Sequence, residues 1–275
     1  MKSASFKFAL GMILAVSAGC AEPCEPIVVD TAGVEPAADY RPLAKVLAEC
    51  VKPSGLADRD ALPERAETLD CQLAILAVTG PTATPGLLPT RQDVLAYWYN
   101  AHAAWSMKLL LARGCPRLVK ARAMMDRPFP IDGRTMTLRE IEDVLAGEAD
   151  FRVAAAVPGA TTCHARLPAE PIRAEGFEQT ATRRFEELLA DEIRLYIDVR
   201  RRRVMIPPVL WRSRERVVRE HNRRHRTTGA TLITALSAMT TGRVHRRLQA
   251  VTGYEEVEAL CRELLTDEGP DKPTP

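Results

Sequence analysis

Residues 91–112 read RQDVLAYWYNAHAAWSMKLLLA, and this stretch decides the fold. Apolar side chains recur in it at helical spacing, with Thr90 immediately before it and Gly114 shortly after it. A threonine before a periodic apolar run and a glycine beyond it are typical of the two ends of a helix. We therefore expect a long helix over residues 91–112, with Trp98 as an anchor in the core, and we expect Trp211 to be a core anchor as well.

Shorter periodic patterns surround this helix. They predict helices over residues 40–51, 62–78, 177–190, 216–226, 231–239 and 255–265. Thr137 and Glu140 have the spacing of a capping box, which predicts a further helix up to about residue 146. Residues 152–157 are small and apolar and suggest a buried strand, while residues 194–199 and 204–206 suggest a β-hairpin. The expected fold is α+β, a helix-rich single domain with a small antiparallel β element.

The N-terminus has the order of a secretory signal. Lys2 and Lys7 come first, an apolar run covers residues 8–16, and small residues lead into Cys20. The apolar run is shorter than the roughly 20 residues that span a bilayer. We expect a signal peptide over residues 1–19 and a lipid on Cys20, which would anchor the protein to a membrane of the bacterial cell envelope. An ordinary signal cleavage near the same place is the alternative.

Composition predicts one domain behind this anchor. The chain has 275 residues, of which 46% are hydrophobic and 27% charged, as in globular proteins. We expect a tether over residues 20–38, a globular domain over 39–266 and a flexible tail over 267–275. The sequence contains no GxSxG, P-loop or GxGxxG motif, so we expect no nucleotide cofactor and no hydrolase nucleophile elbow.

Cysteine usage fits an oxidising compartment. The chain has seven cysteines, and lipidation of Cys20 would leave an even number for disulfides. Cys50 and Cys71 lie close together in the sequence and are the expected pair. The alternative is that most of these thiols are buried and free, because cysteine is among the most buried residue types.

Several motifs occur in the order that a known family shows. AYWYNA occupies residues 96–101, IDG at 131–133 leads to TLREIE at 137–142, and IPPVLW occupies 206–211. Over residues 58–211 the chain resembles the domain of unknown function 547 family. The resemblance implies a bacterial exported protein and names no reaction.

The chain departs from that family where chemistry is expected. The family usually has tyrosine at the position of His102, and a histidine and a cysteine at the positions of Ala154 and Gly159. Its second cysteine matches Cys163, which is followed here by His164 instead of proline. The histidine and the first cysteine of the family pattern are therefore both missing from this chain.

A thiol enzyme is the alternative to a binding protein. Cys163, His102 and Asn100 could form a Cys/His/Asn arrangement for a papain-like or transglutaminase-like acyl transferase or hydrolase. Asn100 and His102 are two residues apart on the expected helix, so their side chains point about 200° apart. Cys163 could equally be buried or disulfide-bonded.

Two other constellations have simpler interpretations. His221 and His225 are spaced i, i+4, as paired metal ligands can be, but arginines surround them, so we expect a solvated basic helix and no metal site. Glu142 and Asp143 are adjacent on a helix and diverge by about 100°, which is unsuited to sharing a proton. Glu142 matches a family position and is expected in a buried polar network.

Positive charge is concentrated between residues 200 and 226. This segment has eleven arginines and two glutamates, a local balance of +9 in a chain of net charge +2. The candidate anion-binding residues are Arg200, Arg201, Arg202, Arg203, Arg223 and Arg224. Such a surface suits an anionic envelope component, whereas the lack of interleaved aromatic residues argues against nucleic acid. We expect a non-catalytic binding module; a merely solvated arginine surface is the alternative.

Overall fold

The computed structural model describes residues 25–115, 124–148, 150–162 and 164–259. They form a helix-rich α+β fold, which confirms the expected fold class. The elements are α1 Arg41–Cys50, α2 Ala61–Glu64, α3 Ala66–Val78, a 3-10 turn Pro85–Leu87, α4 Arg91–Leu111, β1 Phe129–Ile131, β2 Arg134–Met136, α5 Leu138–Glu148, α6 Phe151–Ala155, α7 Phe177–Ala190, β3 Tyr196–Asp198, β4 Arg203–Ile206, α8 Pro208–Arg212, α9 Arg214–His225, α10 Leu232–Ala238, α11 Gly242–Gln249 and β5 Glu255–Glu258.

Helix α4 runs through the interior of the fold. Thr90 and Asp93 form a capping box at its start, with the Asp93 N–H donating to Thr90 Oγ1 at 3.1 Å. Every residue from Leu95 to Met107 is buried, so the helix has no solvent face over this length. A helix that is buried all round lies in the core. As a result, side chains on opposite sides of α4 all meet buried partners.

The two tryptophans that were expected in the core are buried to different extents. Trp98 is buried, as predicted, and contacts the edge of the Tyr97 ring with centroids 4.9 Å apart. Trp105 is also buried and stacks on Phe129 at 4.1 Å. Trp211 is only half-buried, because the last turn of α8 lies at the edge of the core with the Arg214 guanidinium 4.3 Å above the ring.

The β structure consists of two small sheets. Strands β1 and β2 form a hairpin, and β3 pairs with β4 in the predicted antiparallel hairpin. Strand β5 adds to β4 in parallel, so the second sheet has three strands in the order β3-β4-β5. The predicted helix over 255–265 is therefore wrong over Glu255–Glu258, because these residues pair with β4. Residues 260–265 lie outside the described residues.

Two further sequence predictions have clear outcomes. The capping box before α5 is confirmed, because the Thr137 N–H donates to Glu140 Oε2 at 2.7 Å and the Glu140 N–H to Thr137 Oγ1 at 3.2 Å. The strand predicted over 152–157 is wrong, since α6 covers Phe151–Ala155. Asp150 caps this helix by accepting the Arg152 N–H at 2.9 Å, and alanine favours a helical turn over a strand.

The segment expected to be a tether lies partly on the domain. From residue 25 onward it is described, Ile27 is buried, and its N–H donates to the Pro128 carbonyl at 3.0 Å. Ala37 donates its N–H to Thr79 Oγ1 at 3.0 Å. Apolar burial of Ile27 thus fixes residues that the sequence suggested would be loose. None of the helices in the described part of the chain combines the length and apolar character needed to cross a membrane.

The expected pairing of Cys50 with Cys71 is not formed. Cys50 faces the core from α1, whereas Cys71 is exposed on α3, and both are free thiols. Cys115 is also free and buried. Cys20, Cys24, Cys163 and Cys261 lie outside the described residues.

Candidate functional site

Two histidines and a glutamate meet in the core. His102 comes from α4, Glu142 from α5 and His164 from the segment after α6. His164 Nε2 lies 2.7 Å from Glu142 Oε1, and His102 Nε2 lies 3.8 Å from the same oxygen. The two imidazole rings meet edge to face with centroids 4.8 Å apart. His102, Glu142 and His164 are 0%, 3% and 2% exposed, respectively. We call these three residues the His–Glu–His centre, and it is closed to solvent.

The tautomer of His102 follows from its backbone partner. His102 Nδ1 lies 2.6 Å from the Pro158 carbonyl oxygen. A carbonyl can only accept a hydrogen bond, so Nδ1 carries the proton and the lone pair is on Nε2. Among the described residues, Nε2 is buried without a hydrogen-bond partner. The centre therefore contains an unused, buried imidazole acceptor that faces a carboxylate.

His164 is held at three points. Its Nε2 contacts Glu142, its Nδ1 lies 2.8 Å from Thr161 Oγ1, and its carbonyl accepts the Arg194 Nε–H at 2.6 Å. Arg194 is itself buried and paired with Asp191 at 2.6 Å. This chain of contacts fixes the backbone and the ring of His164 together.

The absence of a side chain at Gly159 makes room for the His164 ring. A Cβ atom at this position would lie 2.8 Å from both Cγ and Nδ1 of His164. The imidazole therefore occupies the space that a side chain at position 159 would need. Any residue larger than glycine at this position and the His164 ring are sterically linked.

The charges in the centre are arranged to keep Glu142 ionised. Burial alone would raise the pKa of the Glu142 carboxyl, but the hydrogen bond from His164 and the charges of His164 and Arg212 lower it to about 2. Arg212 on α8 pairs with Glu142 Oε2, which leaves Oε1 directed at the two imidazoles. Burial, followed by the proximity of His164, lowers the pKa of His102 to about 3. His102 is thus a neutral base beside a carboxylate.

The candidate catalytic residues are distributed differently from the Cys/His/Asn arrangement. The structure places His102 with Glu142 and His164. The Asn100 amide instead forms two hydrogen bonds with the Ile172 backbone, donating to its carbonyl at 2.9 Å and accepting its N–H at 2.8 Å. Asn100 therefore ties the 166–173 segment to α4. Cys163 lies outside the described residues.

The arginines of the 200–226 segment differ in their contacts. Arg200–Arg203 are exposed at and beside the turn that joins β3 to β4. Arg212 and Arg216 are also exposed, but the Arg212 guanidinium pairs with the buried Glu142 and Arg216 donates to the Ala146 carbonyl at 2.9 Å. The segment balance of +9 therefore overstates the positive charge that is left without a partner.

Carboxylates neutralise part of the exposed set. Ion pairs join Arg201 to Asp198, Arg203 to Glu255 and Arg223 to Glu220, at 3.5, 2.7 and 2.5 Å. The Arg202 guanidinium lies 5.3 Å from the Tyr254 ring centroid. Arg200 and Arg224 have no carboxylate within ion-pairing distance in the part of the chain that the structure describes.

Exposed apolar side chains accompany the hairpin arginines. Ile193, Tyr196 and Val199 are 45%, 51% and 66% exposed, and they directly precede Arg200–Arg203. Among the described residues only two other large hydrophobic side chains, Val28 and Leu87, are comparably exposed. We call Ile193, Tyr196, Val199 and Arg200–Arg203 the hairpin surface. It combines an apolar part with a basic part.

A groove and a second histidine pair lie outside the His–Glu–His centre. A groove of about 760 Å³ lies between residues 166–173 and α7, with four arginines and four carboxylates along it, and no residue of the His–Glu–His centre lines it. His221 and His225 on α9 have ring centroids 4.5 Å apart. Burial and the proximity of His225 lower the pKa of His221.

Comparisons with protein-family models, with curated protein sequences and with solved structures found no match. Sequence reasoning treated Arg212 as part of a surface charge, whereas it is an ion-pair partner of the buried Glu142. It also did not connect His164 with His102. No local pattern joins these residues, because His164 lies 22 residues after Glu142 and 62 residues after His102.

Proposed function

We propose that this chain is an exported, lipid-anchored envelope protein whose domain is a non-catalytic binding module. In this proposal Cys20 carries the lipid, the domain resembles the domain of unknown function 547 family, and the hairpin surface docks onto anionic lipid headgroups. The observation that carries it is the exposure of Tyr196 and Val199 beside Arg200–Arg203.

Lipid headgroups fit this surface better than a soluble anionic polymer does. Basic side chains near an anionic bilayer contribute about 1 kcal/mol each. Aromatic and aliphatic side chains on the same surface can enter the interface, where tyrosine is favoured. A polymer would use the arginines and leave Tyr196 and Val199 in water.

The proposed anchor would keep the hairpin surface near the bilayer. Ile27 is fixed to the domain, and only six residues separate it from Cys20. The seven Cα–Cα steps from Cys20 to Ile27 span at most about 25 Å when fully extended. A short connection of this kind raises the effective concentration of a weak surface contact, so the contact need not be strong alone.

The closed His–Glu–His centre supports a non-catalytic role. Glu142 is committed to His164 and Arg212, and all three residues of the centre are shielded from solvent. A catalytic acid or base has to come within hydrogen-bonding distance of its substrate. The groove beside α7 does not reach these side chains.

Vesicle sedimentation tests the proposal. The full chain with Cys20→Ala, which removes the proposed lipid site, is mixed with phosphatidylglycerol or phosphatidylcholine vesicles at 0.1 and 1 M salt. We expect binding to the anionic vesicles only, with loss at high salt because the Debye length falls from about 10 Å to about 3 Å. Changing Arg200–Arg203 to serine should weaken binding at least about tenfold.

The matched control removes the same number of exposed arginines elsewhere. Arg41, Arg91, Arg183 and Arg243 are exposed and, like Arg201 and Arg203, paired with carboxylates. Their replacement by serine should leave vesicle binding within about twofold. If both quadruple variants lose vesicle binding equally, the effect comes from net charge alone and the hairpin surface has no special role. Equal binding to phosphatidylglycerol and phosphatidylcholine vesicles would also contradict the proposal.

A thiol-dependent acyl transferase or hydrolase is the second candidate. It is favoured by one observation, the unpaired Nε2 of the neutral His102 beside His164, which follows Cys163 in the chain. Alkylation of the folded, unreduced protein separates the two functions. Rapid labelling of Cys163 that slows in His102→Gln would support the enzyme, whereas an inert Cys163 supports the binding module.

A further inference from the structure

We infer that the His–Glu–His centre is a binding site for one divalent transition-metal ion of the zinc class. The ligand atoms are His102 Nε2, Glu142 Oε1 and His164 Nε2. All three lie within 4.8 Å of one another.

The separations suit such an ion. Ligands about 2.0–2.1 Å from a tetrahedral zinc are about 3.4 Å apart. The two separations from Glu142 Oε1, 2.7 Å to His164 and 3.8 Å to His102, lie on either side of that value, and the three ligand atoms all lie within 4.8 Å of one another. The ligand atoms would have to move from these separations toward the tetrahedral value.

The buried lone pair of His102 points to a missing partner. Its Nε2 is fully buried and has no hydrogen bond among the described residues, while its Nδ1–H is fixed by the Pro158 carbonyl. A ligating histidine typically donates its other ring N–H to a carbonyl or carboxylate in this way. A metal ion would occupy the one acceptor position in the centre that nothing else satisfies.

His164 can change tautomer to become a ligand. In the metal-free centre its Nε2–H donates to the ionised Glu142. When Nε2 binds the metal, the proton moves to Nδ1, where Thr161 Oγ1 at 2.8 Å can accept it. The freed Glu142 Oε1 also turns to the metal.

Ligand types decide the class of ion. Two imidazoles and one carboxylate favour zinc, cobalt, nickel or copper over magnesium and calcium, which prefer oxygen ligands. The Arg212 contact to Oε2 leaves Glu142 monodentate. Water would complete four ligands.

Metal titration tests the inference on the full chain, purified in mild detergent with a histidine-free tag. Cobalt binding is followed by its visible absorption and zinc binding by competition. We expect one ion per chain, and affinity lower by about 100-fold or more in His102→Gln and in His164→Gln. The matched control is His221→Ala with His225→Ala, which removes the other histidine pair, on α9, and should leave the affinity unchanged.

X-ray absorption of the zinc-loaded unaltered protein covers the case in which a variant fails to fold. We expect scattering from two imidazoles and one or two oxygens. Absence of binding, spectra without imidazole scattering, or loss of the ion only in the His221 and His225 variant would overturn the assignment. Vesicle binding is not expected to depend on the ion, so this test fails or succeeds independently of the proposed function.

Discussion

Gly159→Ala adds one methyl group against the ring of His164. The new Cβ would lie 2.8 Å from two ring atoms, closer than real Cβ contacts come. The ring cannot move away cheaply, because Glu142, Thr161 and Arg194 hold His164. Overpacking of this kind costs about 1–3 kcal/mol, so we expect the free energy of unfolding to fall by that amount.

Replacing His164 by glycine should reverse the effect of the added methyl group, because it removes both the ring and the His164 Cβ, which would lie 3.0 Å from the new Cβ. Gly159 does not have a positive φ, so in this background alanine is tolerated and stabilises by about 0.4–1 kcal/mol through the unfolded state. The two substitutions should therefore couple by about 1.4–4 kcal/mol, the sum of the cost and the gain. Urea denaturation of the four proteins in this double-mutant cycle measures the coupling. Equal effects of Gly159→Ala in both backgrounds would refute the steric link between the two positions.

Three further outcomes are expected. Trp98→Ala should lower the free energy of unfolding by about 3–5 kcal/mol and the half-buried Trp211→Ala by clearly less, measured by the same denaturation; equal losses would contradict the burial difference. Asp191→Asn should cost about 3–5 kcal/mol near neutral pH, because it leaves the Arg194 charge buried without its partner. Burial tends to raise the pKa of Asp191, but Arg194 and the Ile193 N–H hold it below its usual 3.8, so this difference should persist above about pH 4 and shrink as the pH falls through the folded-state pKa. Cys20→Ala should shift the chain expressed in a diderm host from the detergent phase to the aqueous phase, and identical partitioning and migration would remove the lipid anchor.

The elements that were predictable from sequence have strong local signals. Helix α4 has a capping residue, a long apolar pattern and a glycine beyond its end. The β3–β4 hairpin has apolar residues on both sides of a short charged turn. The spacing of Thr137 and Glu140 predicts the α5 capping box. Such signals act within a few residues, so no tertiary contact is needed to read them.

The wrong assignments depend on distant partners. Strand β5 is acidic and forms because its backbone pairs with β4, about fifty residues earlier. Residues 151–155 are apolar enough for a strand or a helix, and the Asp150 side chain favours the helix because it accepts the Arg152 N–H at the start of α6. In both cases a pattern of four or five residues was too short to separate the alternatives.

The candidate site was only partly predictable for the same reason. His102 and the polar-network role of Glu142 could be inferred from positions in the resembling family. Their contact with His164, which lies 62 and 22 residues further along the chain, depends on the packing of α4 against α5 and on the space at Gly159. The pairing of Arg212 with Glu142 likewise has no local signal, because its neighbours in sequence carry exposed arginines.

Hydrogen exchange with and without vesicles tests the proposed docking of the hairpin surface most directly. The full chain with Cys20→Ala is incubated with phosphatidylglycerol or phosphatidylcholine vesicles, and exchange is read for each peptide. The proposal predicts slower exchange over residues 193–203 with the anionic vesicles only, and no such change when Arg200–Arg203 are serine. Unchanged exchange over these residues when the protein is vesicle-bound, or protection confined to another part of the chain, would contradict it.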